Sequence, residues 1–197
     1  MKKVYIATSR EIGLKCRTWA IENVPEGFAI CNSLEDADIV ISVLYDKIFK
    51  MKQLQNKSAF NYHPGILPDY RGSGNYSWCL VNEEKETGIT LHLIDKGIDT
   101  GDIISIEKFK ILKKDTSFSL FQKGERVIFK MFKDWFERLL REDFTSQPQP
   151  EGNYKTYYRK DLQNSLDLTR FAKAFSFPNK QKAFYYNHKN EKIFINF

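Results

Sequence analysis

The sequence predicts an α/β protein: a mainly parallel sheet flanked by helices, with a small C-terminal appendage of one helix and a β-hairpin. Three observations carry that prediction. Short apolar runs alternate with helical patterns through the N-terminal third, as in proteins that wrap helices around a parallel sheet. The run Ile39–Leu44 is apolar but for Ser42, which suits a strand buried on both faces. Ser117–Leu140 repeats Phe and aliphatic residues at helical spacing, giving one long amphipathic helix.

Taken in order, Val4–Ala7 is a short apolar run that stops at Ser9-Arg10-Glu11, so it reads as a first strand and not as a leader peptide. A helical pattern follows through Leu14, Cys16, Trp19 and Ala20. Phe28–Cys31 is a second strand, Leu34–Ala37 a turn of helix, and Ile39–Leu44 the buried strand. Ile48–Leu54 has helical spacing, and Ser58–Asn61 is a fourth short strand. Pro64, Gly65, Pro68, Gly72 and Gly74 then impose an irregular loop. Tyr76–Val81 suits a short helix. Thr87–Ile94 and Asp102–Phe109 alternate apolar and polar residues, joined by a tight loop, Asp95–Gly101, that presents Asp99. Beyond the long helix, Thr145–Gly152 carries Pro148 and Pro150 and reads as a linker. Asp167–Phe175 looks helical, and Ala183–Asn187 and Lys192–Phe197 flank a hairpin turn containing His188. The implied division is a main domain over 1–142, a linker over 143–153 and a C-terminal subdomain over 154–197.

Composition narrows the functional classes. The 197 residues, 42% hydrophobic with 16 Phe and 10 Tyr, supply a sizeable core. The chain has no run of about 18 apolar residues, so no membrane-spanning helix is expected. Cys16, Cys31 and Cys79 are widely spaced and lack metal-ligand spacing, which implies no bound metal and a reduced, cytoplasmic protein. The net charge of +6 is spread along the chain without an arginine-rich arm, so charge alone does not single out a nucleic-acid partner. No glycine-rich nucleotide-cofactor motif follows the first strand.

The chemistry concentrates between Asn61 and Ile104. Asn61 and His63 alternate at a strand's carboxyl end, where open α/β sheets place their ligands. Neither has a Ser or Cys nucleophile beside it. Acyl transfer to an amine needs preorganised donors for a developing oxyanion and a group that takes the amine proton. An amide and an imidazole meet the first need. A carboxylate such as Asp99 would keep the imidazole charged and relay the proton. Read singly, Asn61 and His63 suit a turn, Asp99 suits a turn cap, and His92 is a structural residue of an alternating strand.

The ordered motifs Asn61-x-His63-Pro64-x-x-Leu67-Pro68-x-Tyr70-Arg71-Gly72, Trp78, Thr87-Gly88-Ile89-Thr90-Leu91-His92 and Asp95-x-Gly97-x-Asp99-Thr100-Gly101-Asp102-Ile103 resemble the folate-dependent formyltransferases. The resemblance runs from about Asp38 to Glu107. It implies a Rossmann-like catalytic domain, with Asn61, His63 and Asp99 as catalytic residues and N10-formyltetrahydrofolate as formyl donor. It also implies a pterin slot formed by Lys47, Ile48 and Phe49 together with Ile94, Asp95, Lys96, Gly97 and Ile98. Thr8–Gly13 lacks the glycine-rich phosphate loop of the purine-pathway members. The segment after the linker is short for the barrel of methionyl-tRNA formyltransferases. The implied acceptor is therefore the primary amine of a nucleotide-linked amino sugar, of the UDP- or dTDP-4-amino-4,6-dideoxy type. Ser9, Arg10 and Tyr185 are its candidate contacts: a guanidinium suits a pyrophosphate, and an aromatic ring suits a base. The alternatives are a truncated methionyl-tRNA formyltransferase and a folate-binding module without catalysis. The aromatic C-terminal segment allows a homodimer.

Overall fold

The structure, a computed structural model, describes residues 1–164, 168–180, 182–186 and 191–195. It opens with β1 (Lys2–Thr8), α1 (Glu11–Asn23), β2 (Phe28–Ile30) and β3 (Ile39–Val43). Then come β4 (Ser58–His63), β5 (Arg71–Gly72), α2 (Asn75–Val81), β6 (Glu86–Leu93), β7 (Ile103–Lys110) and α3 (Ser117–Leu140). The C-terminal part holds β8 (Thr156–Tyr157), α4 (Leu168–Phe175) and an antiparallel pair, β9 (Phe184–Tyr186) and β10 (Lys192–Phe194). The expected turn at His188 lies outside the described residues.

Six strands form one sheet in the order β2-β1-β3-β4-β6-β7. The first four are parallel, and β6 and β7 complete the sheet antiparallel. The class is the expected α/β, with a mixed sheet. The connection from β6 to β7 is too short for a crossover helix, so β7 must turn back along β6.

Alternation along β3 explains its nearly unbroken apolar run. Ile39, Ile41 and Val43 join one core, and Val40 joins the other across the sheet. On the first face α3 buries Ile128, Met131, Phe132, Phe136 and Leu139 against the sheet and α1. Trp19 of α1 meets Phe132 and Phe136 edge-on, with centroids 6.1 and 5.8 Å apart. The Thr116 side chain caps α3 by accepting from the Ser119 amide. Phe132 is fully buried. Phe132→Ala should therefore cost about 3–5 kcal/mol in urea unfolding, and a loss below about 1 kcal/mol would contradict this packing.

Two expected helices are smaller than the sequence suggests. Only Met51–Gln53 of the 48–54 stretch forms a single 3-10 turn. Its apolar residues do not share a face: Leu54 is buried, Ile48 is 80% exposed, and Phe49 stacks on Tyr45 at 5.2 Å. The turn of helix expected at Leu34–Ala37 reduces to one hydrogen bond, from the Ala37 amide to the Leu34 carbonyl.

The C-terminal part packs on α2. Tyr70, Trp78 and Cys79 share a cluster with Leu162, Phe171, Ala174 and Phe175. Trp78 Nε1 donates to the Tyr158 carbonyl at 3.2 Å, and Ser77 Oγ donates to the Ala174 carbonyl at 2.6 Å. β8 pairs in parallel with β5, register Arg71 to Thr156.

Candidate active site

Asn61 and His63 end β4, held between β3 and β6 near the middle of the sheet. The chain leaves β6 low on β4, where the Ile94 amide bonds the Ala59 carbonyl. It then folds back so that Asp99 reaches both residues. His63 Nδ1 lies 3.3 Å from Asp99 Oδ2, and Asn61 Nδ2 lies 3.5 Å from Asp99 Oδ1. An amide, an imidazole and a carboxylate thus converge from two separate segments.

The surroundings fix each group. His63 is 3% exposed, and its Nε2 donates to the Tyr70 carbonyl at 2.7 Å. Acceptors face both ring nitrogens, and the shorter contact of Nε2 to the Tyr70 carbonyl outweighs the Asn75 amide nitrogen at 3.0 Å, so the charged ring is the better fit. The Gly72 amide donates to Asp99 Oδ2 at 2.8 Å. Asp99 itself has φ 53°, a left-handed conformation that costs a non-glycine residue about 1 kcal/mol or more. Gly101 closes this turn so tightly that a Cβ would stand 1.9 Å from the Leu93 carbonyl oxygen.

Electrostatics follow from this packing. Burial opposes the imidazolium, yet the Asp99 charge, its hydrogen bond and the Tyr70 carbonyl outweigh it and raise the His63 pKa above its ordinary 6.5. Burial likewise opposes the Asp99 carboxylate. The His63 charge and hydrogen bond and the Gly72 amide reverse that effect and hold its pKa far below the usual carboxylate range. Asp99 is therefore ionised throughout the working pH range. A raised pKa keeps His63 charged past 6.5 and discharges it only as pH rises further. Activity that depends on the imidazolium should thus show its alkaline limb in kcat/KM above pH 6.5. A limb below that value in a pH–rate profile would contradict the pairing.

The structure also recruits residues that the sequence had not marked. His92 pairs with Asn61 in the β4–β6 register. Its Nδ1 donates to the Leu93 carbonyl at 2.7 Å, which leaves Nε2 to accept from the Asn61 amide at 3.1 Å. His92 so orients Asn61 and is more than a strand residue. Its sequence signals were its place at the end of the Thr87–His92 motif and its phase of alternation, and neither names a partner until the register is read. Asn75 brings its amide nitrogen to 3.0 Å from His63 Nε2, while its Oδ1 is buried without a partner among the described residues.

These groups open into a cleft of about 610 Å³. Lys47, Ile48, Phe49, Ile94, Asp95, Lys96, Gly97 and Ile98 all line it, so the two segments expected to frame a slot do meet there. The Asp95 side chain is engaged within its own turn by the Gly97 amide and the Thr100 hydroxyl. A second group of lining residues includes Asn75, Tyr158, Arg159, Phe177 and Lys180. Asn61, His63 and Asp99 stand where the two sets join, because Ile98 adjoins Asp99 and Asn75 touches His63. Arg10 also lines the cleft, but its Nη2 is 3.1 Å from Asp46 Oδ1. Ser9 Oγ accepts from the Asp46 amide and is not among the lining residues. Tyr185 lies in β9, paired with Ile193.

Arg159 differs from Arg10. Its Nη1 donates to Ser77 Oγ at 3.1 Å and its guanidinium lies over the Phe175 ring at 5.1 Å. Nη2 is buried without a partner, and no carboxylate pairs with the group among the described residues. Burial lowers its pKa from the ordinary arginine value. Desolvating a cation without a counter-charge is costly, so this geometry prepares for an anion.

Known proteins resemble this chain in sequence and in fold. The formyl transferase family model matches residues 25–133. GDP-perosamine N-formyltransferase of Brucella melitensis is 29% identical over 198 aligned positions, covering 89% of this chain and 75% of the relative. In fold, the chain is similar to a 4-N formyltransferase of Francisella tularensis, with TM-score 0.85 and 20% identity over 100% of this chain and 97% of the other. It is also similar to an N-formyltransferase of Helicobacter canadensis solved with folinic acid and dTDP-3-aminofucose. That match has TM-score 0.78 and 22% identity, over 100% of this chain and 93% of the other.

Proposed function

Since the chain belongs to the formyl transferase family, we propose that it moves a formyl group from N10-formyltetrahydrofolate to the primary amine of a nucleotide-linked amino sugar. The observation that carries this reading is the position of Asn61, His63 and Asp99 at the junction of the two groups of cleft-lining residues. One group, Lys47–Phe49 with Ile94–Ile98, includes the apolar side chains of Ile48, Phe49, Ile94 and Ile98, suited to a pterin ring. The other offers the cations Arg159 and Lys180 and the rings Tyr158 and Phe177, suited to a diphosphate and a base. The acceptors named for the Brucella and Helicobacter proteins support a sugar nucleotide.

In the reaction the acceptor nitrogen attacks the formyl carbon, Asn61 Nδ2 donates to the oxygen as it becomes an oxyanion, and the positive charge of the neighbouring His63 ring stabilises it. Asp99 keeps His63 charged. Attack leaves a proton on the acceptor nitrogen, and the Asp99 carboxylate accepts its hydrogen bond and serves as the relay by which it leaves, with no lasting protonated Asp99. Asp99 passes it to N10 as the C–N10 bond breaks, and tetrahydrofolate leaves. The unpartnered Asn75 Oδ1 accepts an N–H of the incoming amine and points its lone pair at the formyl carbon. The test is tetrahydrofolate release from the formyl donor, with UDP-, dTDP- and GDP-linked amino sugars each offered in turn. Release that requires one of these amines supports the reading. Release with formylmethionyl-tRNA as the product, or with no acceptor dependence, counts against it.

A further inference from the structure

We propose that Gln149 is a positioning residue for formyl transfer, a clamp through which the 143–153 segment holds the Asp99 turn in its reactive shape. This segment reads as a linker in sequence, but it is tied to the sheet: Gln147 and Ile103 exchange backbone hydrogen bonds of 2.8 and 2.9 Å. Two residues on, the Gln149 side chain reaches the turn. Its Nε2 donates to the Asp99 carbonyl and to the Gly101 carbonyl, each at 2.9 Å. The amide spans the ends of the Asp99–Gly101 turn and uses both its N–H groups to do so.

The other end of the amide grips the second support of the carboxylate. Gln149 Oε1 accepts from Arg71 Nε at 3.1 Å and from Nη2 at 2.6 Å. Arg71 precedes Gly72, whose amide donates to Asp99 Oδ2. Arg71 is itself covered by the Tyr154 ring at 5.1 Å. One side chain therefore joins the backbone of Asp99 to the strand that binds its carboxylate. Asp99 sits in a left-handed conformation that carries a cost for a non-glycine residue, and the hydrogen bond to its own carbonyl helps to hold it there.

Without the clamp the turn relaxes, Asp99 withdraws from His63, and the imidazolium loses its counter-charge. His63 is faced by Asp99 from the turn, by His92 from β6, by the Asn75 amide from α2 and by the Tyr70 carbonyl. Asp99 is the anion in contact with it.

The test compares Gln149→Ala and Gln149→Met in the full chain, with thermal unfolding as the check that each folds. The Met side chain keeps the volume and loses the donors and the acceptor. The His63 ring is titrated by NMR, its signal assigned with His63→Gln, and kcat and KM are measured for donor and acceptor. Both variants are expected to lower the His63 pKa by about half a unit or more and kcat by about tenfold or more, with KM nearly unchanged. A wild-type titration and kcat in both variants would overturn the proposal. So would a wild-type Gln149→Met beside an impaired Gln149→Ala, which would mean packing alone. The rate arm rests on the formyl-transfer reading and the titration arm does not. An enzyme that formylates no amine would still show the His63 shift.

Discussion

Formyl transfer by Asp99→Asn is expected to fall by about 1,000-fold in kcat, with the fold intact. The substitution is nearly isosteric, and its carbonyl can still accept from the Gly72 amide. What it removes is charge. Burial is the largest influence on His63 and acts against the imidazolium, so without the carboxylate the ring becomes neutral at working pH. The oxyanion then loses its charged neighbour, and the amine proton loses its relay. Two readouts must move together: kcat drops, and the His63 titration shifts to lower pH. Removing the ion pair also removes stability that is present above the ordinary carboxylate pKa of 3.8 and is lost as pH falls below it. The variant should therefore lose part of the acid sensitivity of the wild type. An Asp99→Asn enzyme with near-normal kcat would mean that this carboxylate does neither task.

Arg159→Ala is expected to lower kcat/KM for the acceptor by about 100-fold, mostly through KM, while KM for the folate donor stays level. Among the described residues the guanidinium has a buried, unpartnered Nη2 and no carboxylate beside it. A phosphate would receive its hydrogen bonds in a desolvated setting, where such bonds are strongest. The same reasoning makes a second forecast of opposite sign. Removing a desolvated, unpaired cation should leave thermal stability unchanged or raise it. Arg159→Lys keeps the charge but loses the fork, so it should recover only part of the affinity. An unchanged acceptor KM in Arg159→Ala would remove this residue from the acceptor site.

How legible these features were depends on how local their cause is. The buried strand Ile39–Val43 is written in its own residues, because burial on both faces demands an apolar run. The long helix Ser117–Leu140 is written in its spacing, and the structure has the same bounds. Asn61, His63 and Asp99 were legible because their motifs are ordered along the chain. His92 was not, since its meaning lies in the register that sets it across from Asn61. Arg159 and Gln149 were hidden for a stronger reason. They reach Ser77 and Asp99 from far along the sequence, and no local pattern marks a side chain whose partners are that remote. The 48–54 stretch erred in the other direction: its spacing fits a helix, but Phe49 is taken up by Tyr45 and the cleft.

The most direct test of the account is mass analysis of the sugar nucleotide after incubation with N10-formyltetrahydrofolate, for the wild type and for His63→Ala side by side. The account predicts that the wild-type product gains one carbonyl group, lodged on the sugar amine. It predicts that His63→Ala, folded and still able to bind folate, yields about 100-fold less of that product or lower. Equal product from both proteins, or formyl groups found anywhere but on the amine, would contradict it.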